Sequence, residues 1–335
     1  MRAKYDVLGL GNAIMDVIVP VADAVLTKEN ITKGGMTLID ETRALHLSTA
    51  LKGAANNITE VAGGSGANTI AGISSLGVSS AYIGKVANDG MGQRFTSAMH
   101  KDGVDFPCAP LKSGAATARC LIAVTPDAER SMSTFLGANT SFGPKDVDPK
   151  IVQSSAITYM EGYLFDTDEQ KAAFIKASEI AKAAGRQVAL TLSDDFCVGR
   201  HRAAFQHLVK NHVDILFANK AEMLSLYELD DLGQALRTVW KTGTTACVTR
   251  SEKGSVIIED GHVHEIKAVP VSKVIDTTGA GDQYAAGVLA GRAMGLSWID
   301  AGHLGSLCAA EVITHYGARP VTSIHNLASG GTEAL

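Results

Sequence analysis

The sequence predicts an α/β protein of three layers, a central and mostly parallel sheet between two layers of helices, with a small β-sheet lid inserted into it. Short apolar runs alternate with helix-length stretches along most of the chain, the rhythm of strand, crossover helix and parallel strand. Two stretches, 14–40 and about 116–134, interrupt that rhythm with short alternating runs of their own. The last third closes on two apolar helical stretches, 281–294 and 298–316, the first opening straight from a glycine-rich turn.

From the N-terminus, residues 5–10 form an apolar run rich in β-formers that ends in Gly9-Leu10-Gly11-Asn12, a buried strand running into a tight turn. Residues 156–160, 187–192, 213–217 and 245–249 repeat the figure, and such near-continuous apolar strands belong to a sheet covered on both faces. The interruptions are strand-like, as in 118–124, and fit a separate small sheet. No repeat, low-complexity linker or long charge run divides the chain. Residues 1–335 are therefore expected to form one domain, with the lid inserted at about 14–40 and 116–134.

Composition narrows the class of function. Hydrophobic residues make up 46% of the 335 and charged residues 19%, a globular balance that excludes disorder. The net charge of −5 and the scattered basic residues leave no electrostatic footprint for nucleic acid or an anionic membrane. Residues 1–11 lack a charged-then-apolar leader pattern, and no run of about 18 apolar residues could cross a bilayer. The expectation is a cytoplasmic protein. The cysteines, Cys108, Cys120, Cys197, Cys247 and Cys308, form no C-x-x-C pair and read as reduced, small buried hydrophobes. His262 and His264 have no neighbouring cysteine to complete a metal site and read as surface residues.

Chemistry concentrates in Asp276-Thr277-Thr278-Gly279-Ala280-Gly281-Asp282, which feeds the apolar helix beginning near 281. The free amides of a helix N-terminus and the positive end of its dipole hold anions, and glycines allow a phosphate to come close. A carboxylate at Asp282 would repel that anion, so it is misplaced in a pure phosphate cradle. It fits as a base that takes the proton from an attacking hydroxyl while amides of residues 279–282 stabilise the transferred phosphoryl group. The alternative, an acid that merely caps a helix, needs no catalysis.

The whole string 276–282 resembles the C-terminal motif of the PfkB, or ribokinase-like, carbohydrate and nucleoside kinases, and the resemblance covers nearly the entire chain. It implies the ribokinase-like form of the three-layer fold, Mg-ATP as phosphate donor, Asp282 as base, and Gly279, Ala280 and Gly281 as anion-holding backbone. Gly11-Asn12-Ala13-Ile14-Met15-Asp16 is similar to the family's N-terminal substrate motif, which makes Asp16 a ligand for vicinal sugar hydroxyls with Asn12 beside it. Ala62-Gly63-Gly64-Ser65-Gly66-Ala67-Asn68 resembles the second glycine-rich motif, so Gly63, Gly64 and Asn68 fall to the substrate, although Ile70 stands where many sugar kinases carry a small residue.

On the nucleotide side, Asn219-Lys220-Ala221-Glu222 matches the family's N-x-x-E element, which assigns Asn219 to ATP and Glu222 to magnesium through water. Residues 248–254 are similar to the stretch V-T-x-G-x-x-G, with Thr249 and Gly254 at ATP and Ser251 replacing the first glycine. Arg130 resembles a lid arginine that reaches the transferred phosphate. Related kinases often need a monovalent cation such as potassium, for which carbonyls around Asp276 and Thr278 would be donors.

Within the family, residues 190–196 and 213–217 look more like adenosine kinases than ribokinases or fructokinases. The resemblance thus implies phosphorylation of a nucleoside 5′-hydroxyl, giving AMP and ADP from adenosine, with Met36, Leu38, Tyr163 and Leu164 around the base. A PfkB sugar kinase acting on fructose or ribose is the alternative, and the state of assembly, monomer or homodimer, leaves no trace. Two rivals of other classes are weaker. A nicotinamide-dependent dehydrogenase would need a third glycine where Ile14 stands after Gly9-x-Gly11, and a nonenzymatic nucleotide sensor would have no use for Asp282.

Overall fold

The computed structural model describes residues 3–54, 57–127 and 129–322. In chain order its strands are β1 (Tyr5–Leu10), β2 (Ile14–Pro20), β3 (Met36–Leu38), β4 (Thr59–Gly63), β5 (Ser80–Ile83), β6 (Ala118–Val124), β7 (Arg130–Phe135), β8 (Ser155–Glu161), β9 (Gln187–Thr191), β10 (Ile215–Asn219), β11 (Thr245–Thr249), β12 (Ser255–Glu259) and β13 (His262–Ile266). The helices are α1 (Asp23–Lys28), α2 (Glu41–Ala54), α3 (Ser65–Ser75), α4 (Gly90–Lys101), α5 (Pro149–Gln153), α6 (Asp168–Ala183), α7 (Asp195–His212), α8 (Lys220–Tyr227), α9 (Leu232–Trp240), α10 (Ala280–Ala293) and α11 (Trp298–Val312).

Eight strands form the main sheet in the order β13-β12-β11-β10-β9-β8-β1-β5. Pairing is parallel from β5 to β11, and β12 and β13 extend it as an antiparallel hairpin. Side chains alternate between its two faces as the pleat requires. Leu8, Leu190, Leu216 and Val248 join one core with Phe174, Phe205, Met223 and Leu236 of α6–α9. Val7, Ala189, Phe217 and Cys247 join the other with Ile70, Phe95, Ala286 and Ala301 of α3, α4, α10 and α11. The continuous apolar strands seen in the sequence are thus continuous because both faces are covered, and the three-layer class expected from them is the one observed.

A second sheet of five strands, in the order β3-β7-β6-β2-β4, stands apart from the first. Its β4 comes from residues outside both stretches that the sequence marked, and pairs antiparallel with β2. One face is closed by α1 and α2, with Val17, Val19 and Leu121 packed on Leu26, Leu47 and Leu51. The opposite face carries Ile14, Cys120 and Ile122.

Helix α11 was expected to run to 316 but ends at Val312. The chain turns back there because the Ile313 carbonyl accepts the Ile275 amide at 2.8 Å, and Gly317, at φ +103°, carries the bend. Helices α10 and α11 are brought together by glycine. A Cβ on Gly287 would lie 2.6 Å from Gly305 Cα and 2.7 Å from its nitrogen, backbone atoms that cannot move aside as a side chain could. Helix propensity alone would make Gly287→Ala stabilising by about 1 kcal/mol, whereas overpacking costs about 1–3 kcal/mol. The expected net effect is a lower denaturant midpoint. A midpoint that rises would show that the two helices part without penalty.

Candidate active site

Two helix N-termini converge on one cavity of about 350 Å³, bounded by Ser65 at the start of α3, Gly279 to Asp282 at the start of α10, Thr191, Asn219 and Thr249 at the carboxyl ends of strands, and Glu222 in the first turn of α8. Both helices follow a glycine in the left-handed region, Gly64 at φ +91° and Gly279 at φ +81°, and neither has a side-chain cap. A side chain at Gly64 would strike the Asn12 carbonyl at 2.4 Å, and one at Gly279 the backbone of Ala318 at 2.6 Å. In α10 the Ala280 amide is taken by the Thr277 carbonyl at 3.2 Å. The amides of Gly281 and Asp282 have no carbonyl one turn back within the helix. A Cβ on Gly281 would meet nothing within 4 Å, so space for an anion lies open beside them.

Asp282 is clamped from α3. Ser65 Oγ donates to its Oδ1 at 2.6 Å and Asn68 Nδ2 to its Oδ2 at 3.2 Å. Burial pushes its carboxyl up to about 6, and these two hydrogen bonds oppose the rise. A carboxyl raised this far is still largely ionised at neutral pH yet more basic than an ordinary aspartate.

Asp16 faces this clamp from β2. Burial raises its carboxyl to about 7, Arg130 and Arg319 draw it down, and Asp282 adds to the rise. Gly63 is glycine because a Cβ there would lie 2.2 Å from Asp16 Oδ2. Strand register sets Asp16 in a cross-strand row with Val61, Cys120, Thr134 and Leu38, and Met36 lies on the same face opposite Met132. Met36 and Leu38 are 36% and 41% exposed, an apolar surface on the same face of the sheet as the carboxylate and three strands from it. Arg130 bridges from β7 to the glycine-rich loop, its NH1 3.0 Å from Asp276 Oδ2.

Asn219 and Glu222 form a reciprocal capping box at the start of α8: the Asn219 amide reaches Glu222 Oε2 at 2.9 Å and the Glu222 amide reaches Asn219 Oδ1 at 2.9 Å. The N-x-x-E spacing therefore has a structural use besides lining the cavity. Burial raises the Glu222 carboxyl to about 7. Thr249 lines the cavity, but Gly254 does not. Its φ of +76° and the Ile266 carbonyl, 2.0 Å from any Cβ, make it a glycine of the β11–β12 turn. Ser251 adopts φ +55° in the same turn, which keeps its closing bond from the Arg250 amide to the Gly254 carbonyl at 2.7 Å. The serine thus follows the path a glycine would take, at a strain of about 1–2 kcal/mol.

Tyr163 lines the cavity beside Thr191 and Ser193. Leu164 corrects an expectation: it is fully buried in the core with Phe165 and Leu192 and lines no part of the cavity, because the turn after β8 aims it into the sheet. Ile70, the departure from a small residue, is accommodated by Gly9, where a Cβ would lie 2.5 Å from Ile70 Cγ1. Sequence reasoning missed Glu161, whose Oε2 accepts the Asn12 amide at 2.9 Å and whose carboxyl burial raises to about 8. The signal was an acid ending an otherwise apolar strand. Asn12 itself keeps a buried side-chain nitrogen with no partner among the described residues.

The pfkB family carbohydrate kinase model matches residues 29–324. The structure of adenosine kinase from Sinorhizobium meliloti is 45% identical, covers 98% of this chain and 99% of its own, and superposes with a TM-score of 0.90. A probable sugar kinase protein from Rhizobium etli CFN 42 is 42% identical over 98% of both chains, also with a TM-score of 0.90. Fructokinase-1 of Zea mays is 27% identical over 237 residues, 68% of this chain and 72% of the relative. A family match over most of the length and a three-layer fold with a glycine-rich turn opening α10 lead to one conclusion: the chain is a kinase of the pfkB carbohydrate kinase family.

Proposed function

We propose that this kinase transfers the γ-phosphate of ATP to the 5′-hydroxyl of adenosine, giving AMP and ADP, in the cytoplasm. The observation that carries the chemistry is the Asp282 carboxylate, half-buried at the first turn of α10 beside two amides with no partner among the described residues, and held by Ser65 and Asn68. The observation that favours a nucleoside is the apolar face of the small sheet, whose Leu38 shares a cross-strand row with Asp16. A flat base needs such a surface on the same face as a carboxylate that accepts ribose hydroxyls; a free sugar does not. Similarity to the adenosine kinase from Sinorhizobium meliloti supports the same reading.

In this reading Asp16, Gly64, Asn68 and the spare nitrogen of Asn12 hold the ribose, and Met36, Leu38 and Tyr163 flank the base. Asn219 and Thr249 lie along the ATP phosphates. Asp282 takes the proton of the 5′-hydroxyl as its oxygen bonds to the γ-phosphorus and the bond from that phosphorus to the β-phosphate oxygen breaks. The amides of Gly281 and Asp282 receive the developing charge, and Arg130 adds a second cation from the lid. Glu222 would hold magnesium through water, and that ion would neutralise phosphate charge. A monovalent cation would draw on main-chain carbonyls at Asp276 and Thr278, since the Asp276 carboxylate already accepts from Arg130, Thr278 and Gly317.

A sugar kinase is the second reading, favoured by similarity to the probable sugar kinase and the fructokinase. ADP release from Mg-ATP with adenosine, inosine, guanosine, cytidine, ribose or fructose offered singly separates the two. Selective turnover of adenosine is expected. Turnover of a free sugar alone would overturn the nucleoside assignment.

Asp282→Asn should retain ATP binding and lose about 10² to 10⁴ in kcat, and turnover within a few-fold of the parent would remove Asp282 from the base role. The pH profile follows from the same group. A base works ionised, so kcat at saturating substrates should fall as pH drops through about 6. Ser65→Ala removes a hydrogen bond that favours the ionised form and should move that acid limb to higher pH. An unmoved limb would assign the titration to another group.

A further inference from the structure

Asn68 stands between two charged neighbours of opposite hydrogen-bonding character. A carboxylate only accepts and a guanidinium only donates, so an amide flanked by one of each has a single orientation. Here Asn68 Nδ2 donates to Asp282 Oδ2 at 3.2 Å, and Arg319 Nε donates to Asn68 Oδ1 at 3.3 Å. Arg319 is itself fixed, since its NH1 is ion-paired with Asp102 at the end of α4 and its NH2 lies 3.6 Å from Met99 Sδ, with only 19% of the side chain exposed. The segment that delivers it is tied to the same place a second time, for Gln283 Nε2 bridges the Asn68 carbonyl at 3.1 Å and the Ala318 carbonyl at 2.9 Å.

We propose that Arg319 is a positioning residue for the acceptor, acting through Asn68: anchored by Asp102, it fixes the amide so that one face serves Asp282 and the remaining hydrogen and lone pair serve the acceptor hydroxyls. The inference rests on the reading of Asn68 as acceptor-binding.

Loss of a hydrogen bond to a charged donor corresponds to about a 10-fold change in affinity. Arg319→Met should weaken adenosine binding, measured by calorimetry, by about that factor while ATP affinity stays within twofold. Arg319→Lys, which keeps a charge and a donor, should recover part of the loss, and Asp102→Asn, which frees the anchor, should give a smaller loss in the same direction. The deciding measurement is the double variant. If Arg319 acts through Asn68, adding Arg319→Met to Asn68→Ala changes adenosine affinity by less than twofold, because the partner is already gone. Losses that multiply, an unaltered affinity in Arg319→Met, or equal losses for adenosine and ATP would each overturn the inference. Failure of the parent protein to bind adenosine would instead overturn the reading of the site, before any variant is compared.

Discussion

The site depends on two helices beginning at the same point without caps. Most of the longer helices elsewhere are closed by side chains: Asp89 caps α4, Thr167 α6, Asp194 α7, Asp231 α9 and Ser297 α11. At the cavity the corresponding positions are Gly64 and Gly279, which contribute no acceptor. With glycine at the cap position the loss of such a bond costs only about a few tenths of a kcal/mol per helix, and it leaves amides and two positive dipole ends facing one volume. Asp282 occupies the junction and is bonded across it to Ser65 and Asn68. The same carboxylate therefore offsets the repulsion of two positive helix ends and stands next to the amides that can receive a phosphate. The carboxylate and the amides are inseparable in this geometry.

That arrangement strains the acids that make it. Burial raises the carboxyls of Asp282 to about 6, Asp16 and Glu222 to about 7 and Glu161 to about 8, against about 4 in the unfolded chain. Between those values the folded state binds protons that the unfolded state has lost. The contribution of these four groups to stability is thus fully present below about pH 4 and is lost as pH rises through 6 to 8. At neutral pH the site opposes folding, and the close apolar packing of both faces of the main sheet must hold it in place. The glycine contact of α10 with α11 matters here, because it fixes the helix whose first turn carries Asp282.

What the sequence displays is local, and what it hides is long-range. Residues 5–10 and 245–249 are strands to the residue, because a run buried on both faces is apolar throughout and needs no knowledge of its neighbours. The 276–282 turn is legible for the same reason, since glycines and a helix start are adjacent in the chain. Leu164 shows the limit: an apolar residue beside a site residue can point to the core or to the cavity, and only the path of the turn after β8 decides. Asn219 and Glu222 show another, because the spacing of a ligand pair is also that of a capping box. The contact of Arg319 with Asn68 joins residues 251 positions apart, and neither end has a composition or period that announces the other.

Arg130 illustrates how a lid residue can be ready without being idle. A guanidinium held near the cavity with no partner would carry a desolvation penalty, and Asp276 removes it by accepting from NH1 at 3.0 Å. The Asp276 carboxylate does not depend on that bond alone. The Thr278 amide at 3.0 Å, the Thr278 hydroxyl at 2.6 Å and the Gly317 amide at 3.2 Å also serve it. A phosphate that draws Arg130 away exchanges one anion for another and leaves Asp276 with three donors. In the proposed reading the exchange is close to balanced, so recruitment of Arg130 would add little to the binding of ATP at rest and would respond to the larger charge of the transferring phosphoryl group. An arginine paired with a lone carboxylate could not do this, since its departure would strand a buried charge.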